Sequence, residues 1–216
     1  MTPLDRSFFS RPTLEVAPDL LGAVLVHEHP DDGLLAGRIV ETEAYTDDDP
    51  AMHGWKATFG TDGRVLPQGR AADLFAAPGT AYVYRVYRTN WLINVVTEPE
   101  GTAGAVLIRA LEPLAGEEAM SARRAAARRQ RDLTNGPGKL TQALDIAEPT
   151  FHGHDLTTPP LYIASDGFAR GDIDTTSRIG LSRGVDRPWR FFLAGNRFVS
   201  PGVPSDVRVA RKTRRQ

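Results

Sequence analysis

Ala36-Gly37-Arg38-Ile39-Val40-Glu41-Thr42-Glu43-Ala44-Tyr45 reads as a β-strand that should be buried, yet it carries two carboxylates on one face. Side chains alternate along a strand, so Ile39, Glu41, Glu43 and Tyr45 point one way and Val40, Thr42 and Ala44 the other. Glutamate is depleted in strands and is almost never fully buried without a partner. Two glutamates beside a tyrosine therefore predict the wall of a polar cavity in which ionisable groups do chemistry. Their backbone positions lie roughly 6.5–7 Å apart. A carboxylate that activates water while a sugar–leaving-group bond breaks is the centre of hydrolytic glycoside chemistry. Glu41 reads better as half-exposed or paired with an arginine such as Arg109. Glu43, between Thr42 and Ala44 with Tyr45 on its own face, is the better reactive group.

Outward from that strand, Ala23 to His27 and the turn at Pro30-Asp31-Asp32-Gly33 complete a hairpin. Residues 46–80 form a long loop rich in Asp, Gly and Pro that holds His53, Trp55 and Arg70, and a loop of that length is expected to be functional. Thr80 to Tyr87 and Trp91 to Val96 predict two more strands joined by a short hairpin loop with Tyr87 near its tip. Ala105 to Leu111 predicts another strand. Glu112 to Arg131, dominated in its second half by alanine and arginine, predicts a helix. Asn135-Gly136-Pro137-Gly138-Lys139 reads as a turn feeding a short helix over Leu140 to Leu144. Asp145 to Pro160 reads as loop, and Leu161 to Ala164 and Arg190 to Leu193 as strands. Strands arrive in runs rather than alternating with helices, which predicts one α+β domain on a mostly antiparallel sheet. The domain spans residues 1–205, and residues 206–216 are expected to be a basic C-terminal tail with little to bury.

Aromatic residues add a second chemical element. Tyr45, Tyr82, Tyr84 and Tyr87 are four of the five tyrosines, and Tyr82 and Tyr84 share a strand face that Tyr45 could approach across the sheet. Enzymes that act on a nucleobase take it out of the stack, hold it between aromatic faces and fill the gap left behind. Two clustered tyrosines are commonly core packing. Tyr87, at the tip of a hairpin carrying Arg85 and Arg88, has little core to join. Gly136-Pro137-Gly138-Lys139 adds backbone N–H groups at a helix start and a lysine, a weak anion-site motif on its own.

These segments together resemble the alkyladenine (3-methyladenine) DNA glycosylase family, the mammalian-type enzymes that are also widespread in bacteria. The resemblance runs in order from about residue 8 to residue 200. Leu20-Leu21-Gly22 and the following strand open it, and Gly37 to Tyr45 is its most specific part. Phe75 through Pro78-Gly79-Thr80-Ala81-Tyr82-Val83-Tyr84, Asn94, Leu107 to Pro113, Asn135 to Ala143 and Trp189-Arg190-Phe191-Phe192 complete it. The resemblance implies a single mixed domain around a curved antiparallel sheet with peripheral helices and a protruding hairpin. It implies that Glu43 is the general base that activates water for attack on C1′, with Arg109 beside it. It places Tyr45, His53, Tyr82, Tyr84 and Asn94 in the base pocket, Asn94 disfavouring the exocyclic amine of guanine. Tyr87 becomes the wedge in the minor groove, and Arg85, Arg88, Gly138 and Lys139 the contacts to the DNA backbone. Family members follow the wedge tyrosine with glycine, whereas Arg88 stands there in this chain. The loop after His53 (Gly54 to Gly60) also departs from the usual pattern.

The implied activity is removal of alkylated or deaminated purines from double-stranded DNA. Such bases as 3-methyladenine and 7-methylguanine are cationic and leave readily, and aromatic faces attract them by about 0.5–2 kcal/mol per favourable contact. No lysine occurs in the carboxylate, aromatic or hairpin segments, so a Schiff-base lyase step is not expected and the product is an abasic site. A hydrolase of free nucleosides is the alternative, disfavoured by the basic hairpin and Tyr87. A non-catalytic DNA-binding protein of the same fold is a weaker one.

Composition agrees with this. Hydrophobic residues at 41% and charged residues at 25% describe an ordinary globular chain long enough for one sizeable core. The net charge of −1 hides an asymmetry: acids crowd the first fifty residues (Asp47-Asp48-Asp49), and arginines the later ones (Arg123, Arg124, Arg128, Arg129, Arg131 and the C-terminal group). The absence of cysteine excludes disulfides and thiolate metal sites and fits a reducing bacterial cytoplasm. No apolar run has the length of a membrane span and the N-terminus lacks a signal pattern, so no membrane partner is expected. The pairs His27/His29 and His152/His154 lack cysteine support, so neither metal nor cofactor is expected. A monomer is the expected state.

Overall fold

In the computed structural model, which describes residues 1–53, 69–86 and 90–213, the carboxylate-bearing stretch lies in a strand paired along both edges. The elements in chain order are β1 (Thr2–Pro3), α1 (Arg6–Phe9), α2 (Thr13–Asp19), β2 (Val24–His29), β3 (Gly33–Thr46), a 3-10 turn (Gly69–Phe75), β4 (Ala81–Val86), β5 (Asn90–Val96) and β6 (Gly104–Ala115). They continue with α3 (Glu117–Arg123), a 3-10 turn (Gln130–Asp132), α4 (Pro137–Ala143), α5 (Glu148–Phe151), β7 (Leu161–Ser165), β8 (Ile173–Thr176), β9 (Arg190–Leu193) and α6 (Ser205–Thr213). The described strands form one nine-stranded sheet in the order β1-β7-β2-β3-β6-β5-β4, with β9 beside β3 and β8 beside β9. All these pairings are antiparallel, and the architecture is α+β.

Strand β3 is the axis. Its first half pairs with β2 and its residues Glu41–Glu43 pair with β9, while β6 runs along its other edge from Ala36 to Thr46. Pairing on both edges with packing on both faces leaves Leu35 to Ala44 buried throughout. The β3–β6 ladder is irregular around Glu41, opposite Ala110, and recovers its offset at Thr42 opposite Ile108. Ile39, expected to share the polar face, instead joins Val40 and Ala44 in the main core. The irregular pairing lies between Ile39 and the glutamates, where strict alternation no longer applies.

That core also holds Val16 and Ala17 from α2, Leu20 just after it, and Leu140 and Ala143 from α4. Fully burying an aliphatic side chain contributes about 1.5–3 kcal/mol, so short helices hold by what they bury rather than by propensity. A second, smaller cluster of Met52, Leu74, Tyr82, Val96, Ala103 and Ala105 carries Tyr45, Phe75 and Tyr84 at its margin.

Departures from the sequence reading include the expected helix from Glu112, the expected C-terminal tail, and the expected loop Asp145 to Pro160, which holds α5 because Phe151 has a core to bury in. Glu112–Ala115 extends β6, with Pro113 opposite Gly37, and α3 stops at Arg123. The turn between them rests on Gly116 at φ +76°, where a Cβ would lie 2.4 Å from Leu35 Cδ2. Met120 is the buried residue of α3, so the alanine–arginine run beyond it has no apolar stripe to hold a longer helix. The expected C-terminal tail is helical through Thr213. Its first residue is pinned, with Ser205 N–H donating to Arg178 O (2.9 Å) and Ser205 Oγ accepting from Leu181 N–H (2.9 Å). No helix among the described residues is long and apolar enough to cross a membrane.

Candidate active site

The two glutamates of β3 are both fully buried, and the donors around them differ. Glu41 Oε1 accepts from Arg109 Nε (2.8 Å), Arg190 Nε (2.7 Å) and Ser200 Oγ (2.8 Å), and its Oε2 accepts from Ser200 N–H (2.7 Å). A carboxylate offers about four acceptor positions, and four donors surround this one, three on Oε1 and one on Oε2. Burial alone would raise the Glu41 carboxyl, but Arg109, Arg190 and the Ser200 N–H outweigh it and hold it below the usual glutamate range.

Glu43 Oε1 accepts from Ile179 N–H (2.7 Å) and lies 3.2 Å from Arg109 Nη1, and its Oε2 accepts from Tyr45 Oη–H (2.9 Å). Among the described residues Oε2 therefore has one donor. Arg109 bridges the two carboxylates. Burial works against its charge, yet Glu43 and Glu41 more than offset that and raise its pKa above the ordinary guanidinium value. Burial, and then the Glu43 carboxylate, push Tyr45 well above an ordinary phenol, so Tyr45 stays a donor.

Beyond Tyr45 opens a small recess walled by Tyr45, Met52, His53, Tyr82, Tyr84 and Asn94 together with Ala51, Leu74 and Ala105. Sheet order builds it. Tyr45 on β3 faces Ala105 on β6, while Asn94 on β5 faces Tyr82 on β4. Ala105 places a single methyl group where a larger residue would fill the space between the tyrosines. Tyr82 and Tyr84 lie 5.1 Å apart at a 31° tilt, and the His53 ring meets Tyr84 edge-on at 4.7 Å. His53 Nδ1 is 2.9 Å from Tyr82 Oη, and Asn94 Nδ2 donates to Tyr82 O (3.1 Å). Glu43 stands behind Tyr45 rather than in the wall.

The methylpurine-DNA glycosylase family model matches residues 7–197. A relative from Salinibacter ruber is 58% identical over 208 residues, covering 95% of this chain and all of the relative. One from Chlorobium phaeovibrioides is 44% identical over 207 residues, with 95% of this chain and all of the relative covered. One from Rhodopseudomonas palustris is 47% identical over 198 residues, covering 92% and 90%. Each is provisionally named a 3-methyladenine DNA glycosylase. The chain belongs to the methylpurine-DNA glycosylase family. It is a DNA glycosylase, a hydrolase of N-glycosyl bonds.

Within this glycosylase the structure brings Glu43, Arg109, Tyr45, His53, Tyr82, Tyr84 and Asn94 into one region. Tyr87 and Arg88 lie outside the described residues, as does Trp55. Arg85 is exposed near the end of β4, its guanidinium 5.6 Å from the Trp91 ring. Gly138 packs against the first residue of β5, where a Cβ would lie 2.9 Å from Asn90 Cβ, and Lys139 Nζ donates to Asn135 Oδ1 (2.7 Å). The four histidines read as pairs go to protein partners. His27 Nδ1 is 2.7 Å from Leu144 O and His29 is 3.2 Å from both Asp32 and Asp145, while His152 is 3.3 Å from Asp73 and His154 Nε2 is 2.8 Å from Leu161 O.

Sequence reasoning missed four residues that shape this glycosylase site: Ile179, Arg178, Arg190 as a Glu41 partner, and Ser200. Ile179 acts through its backbone N–H, which no side-chain pattern reveals. Arg178 carried one signal, an arginine in an otherwise uncharged run (Thr175 to Leu181), which is a poor position for a solvated cation.

Proposed function

We propose that this glycosylase removes alkylated or deaminated purines from double-stranded DNA, with Glu43 as the general base. The observation that carries the reading is the unequal donor set of the two glutamates. Glu41 has four fixed donors from residues outside the recess, while Glu43 has three among the described residues, and the donor to its Oε2 is Tyr45, a wall of the aromatic recess. The extruded base lies in the recess, against Tyr45, Tyr82, Tyr84 and His53, with Asn94 at its edge. Glu43 takes a proton from a water whose oxygen bonds to C1′ as the C1′–N bond breaks. The base departs with the glycosidic electron pair, which neutralises a cationic base, and an abasic site remains. Arg109 keeps the glutamate in place and its charge balanced. Tyr87 fills the gap in the duplex, and Arg85, Arg88, Gly138 and Lys139 hold phosphates. The protein acts as a monomer.

The test is to incubate the full chain with duplexes carrying 7-methylguanine, hypoxanthine or ethenoadenine and to look for alkali-labile sites. Excision that weakens steeply with added salt is the expected result, because phosphate contacts release counterions. Release of bases from free nucleosides with no salt dependence would overturn it.

A further inference from the structure

Outside the groups that touch the substrate in the reading above, Arg178 and Asp49 form a buried charged contact. Both side chains are wholly buried. Arg178 Nη1 donates to Asp49 Oδ2 and to Ala44 O (2.9 Å), and Nη2 donates to Asp49 Oδ1 (2.9 Å) and Gly184 O (3.2 Å). The guanidinium lies 4.6 Å from the Tyr45 ring and 5.2 Å from that of Trp189. Burial opposes its charge, and the Asp49 carboxylate overcomes that and raises its pKa.

We propose that Arg178 is a positioning residue for base excision: clamped by Asp49, it fixes the Tyr45 ring and thereby the Tyr45–Glu43 hydrogen bond. The connections run three ways from this one guanidinium. Through Ala44 O it holds the backbone between Glu43 and Tyr45. Through Asp49 it holds the turn leading to the recess, since Asp49 Oδ1 also accepts from Ala51 N–H (3.0 Å) and Asp49 O accepts from Met52 N–H (2.9 Å). Through its neighbour it holds the base itself, because Ile179 N–H donates to Glu43 Oε1. The far side of the same segment is anchored by Ser205 N–H to Arg178 O, by the Ser177–Asp206 pair and by the Ile179–Pro204 bridge. Gly184 completes the clamp at φ +55°, where a Cβ would lie 2.8 Å from Asp49 Oδ1 and 3.0 Å from Arg178 Nη2. Buried ion pairs add little net stability compared with apolar packing, whereas they hold geometry tightly. That contrast is what an experiment can read.

The inference rests on the glycosylase mechanism above. Single-turnover excision of hypoxanthine and 7-methylguanine from duplex DNA by the full chain separates the two. Arg178→Lys, Arg178→Met and Gly184→Ala should each keep full reaction amplitude per folded molecule and change the half-saturating DNA concentration less than about twofold. The maximal rate constant should fall about 10–100-fold, the scale of a misplaced catalytic group. Combined with Tyr45→Phe, the Arg178→Lys effect should shrink below about threefold, because both changes break one chain of contacts. Reduced amplitude with an unchanged rate constant would show that Arg178 only holds the fold. Equal effects in both backgrounds would overturn the route through Tyr45. If Arg178→Met fails to fold, Arg178→Lys and Gly184→Ala carry the comparison. Absence of excision by the unaltered chain would bring down the glycosylase mechanism itself.

Discussion

Glu41 and Glu43 stand two residues apart on one strand, are equally buried and share one arginine, yet they are held in opposite ways. Around Glu41 are two guanidinium groups, a hydroxyl and a backbone N–H, all from residues that do not wall the recess. Around Glu43 are one backbone N–H, one distal arginine nitrogen and the hydroxyl of a tyrosine that also walls the recess. The difference lies in the number and identity of the donors rather than in burial: four fixed groups hold Glu41, and a cavity-lining tyrosine is one of the three that hold Glu43.

The sharpest way to break this contrast is Glu43→Gln. Losing a general base costs about 10²–10⁴-fold in rate. The maximal single-turnover rate should fall by that factor, with a smaller loss of stability to denaturant than Glu41→Gln suffers, because Arg109 keeps its bond to Glu41. Glu41→Gln should show the reverse emphasis. Two buried arginines would face one neutral amide, and breaking buried pairs of this kind costs about 3–5 kcal/mol of stability. Urea titrations of both variants would reverse the assignment if Glu43→Gln proved the less stable.

The Glu41 contrast also has a pH signature. Its folded pKa lies below the ordinary 4.5, so the stability it contributes is present above that value and is lost as pH falls through the folded value. The stability gap between wild type and Glu41→Gln should be level above about pH 5 and narrow below about pH 4. A gap that widened on acidification would contradict the sign.

Ala105→Leu tests the Glu43 side from the recess. The extra carbons would crowd Tyr45 and Val96, costing about 1–3 kcal/mol and weakening excision of a bulky ethenoadenine more than of hypoxanthine. Equal loss on both bases, measured at saturating enzyme, would show that the recess does not hold the base. The smallest effect belongs to Ser200→Ala, which leaves the Ser200 N–H on Glu41 and removes the hydroxyl's bond to Glu41 and a long one from Arg109 Nη2 (3.5 Å), about 1 kcal/mol, detectable as a lower thermal midpoint with near-normal excision.

Much of this was legible in the chain. The β2–β3 hairpin, β4, β5 and β9 follow from two-residue alternation and turn chemistry, which are local. The pairing of Glu41 with Arg109 was readable as a charge seeking a partner. The Glu112–Arg131 helix was not, because alanine and arginine favour a helix in isolation while Glu112 to Ala115 had a strand edge on β3 to join. Helix α2 escaped because Val16 and Ala17, with Leu20 just after it, span too few turns to show a period.

What the sequence determined by itself was the inventory: a buried strand with two carboxylates, tyrosines on a neighbouring strand face and arginines enough to neutralise them. Alternation along a strand depends only on neighbours in the chain, so that much needs no fold. Which donors each carboxylate would meet was decided by the tertiary structure alone. Ser200 lies 159 residues from Glu41 and Ile179 lies 136 residues from Glu43. A hydrogen bond acts over about 3 Å of space and is indifferent to distance along the chain.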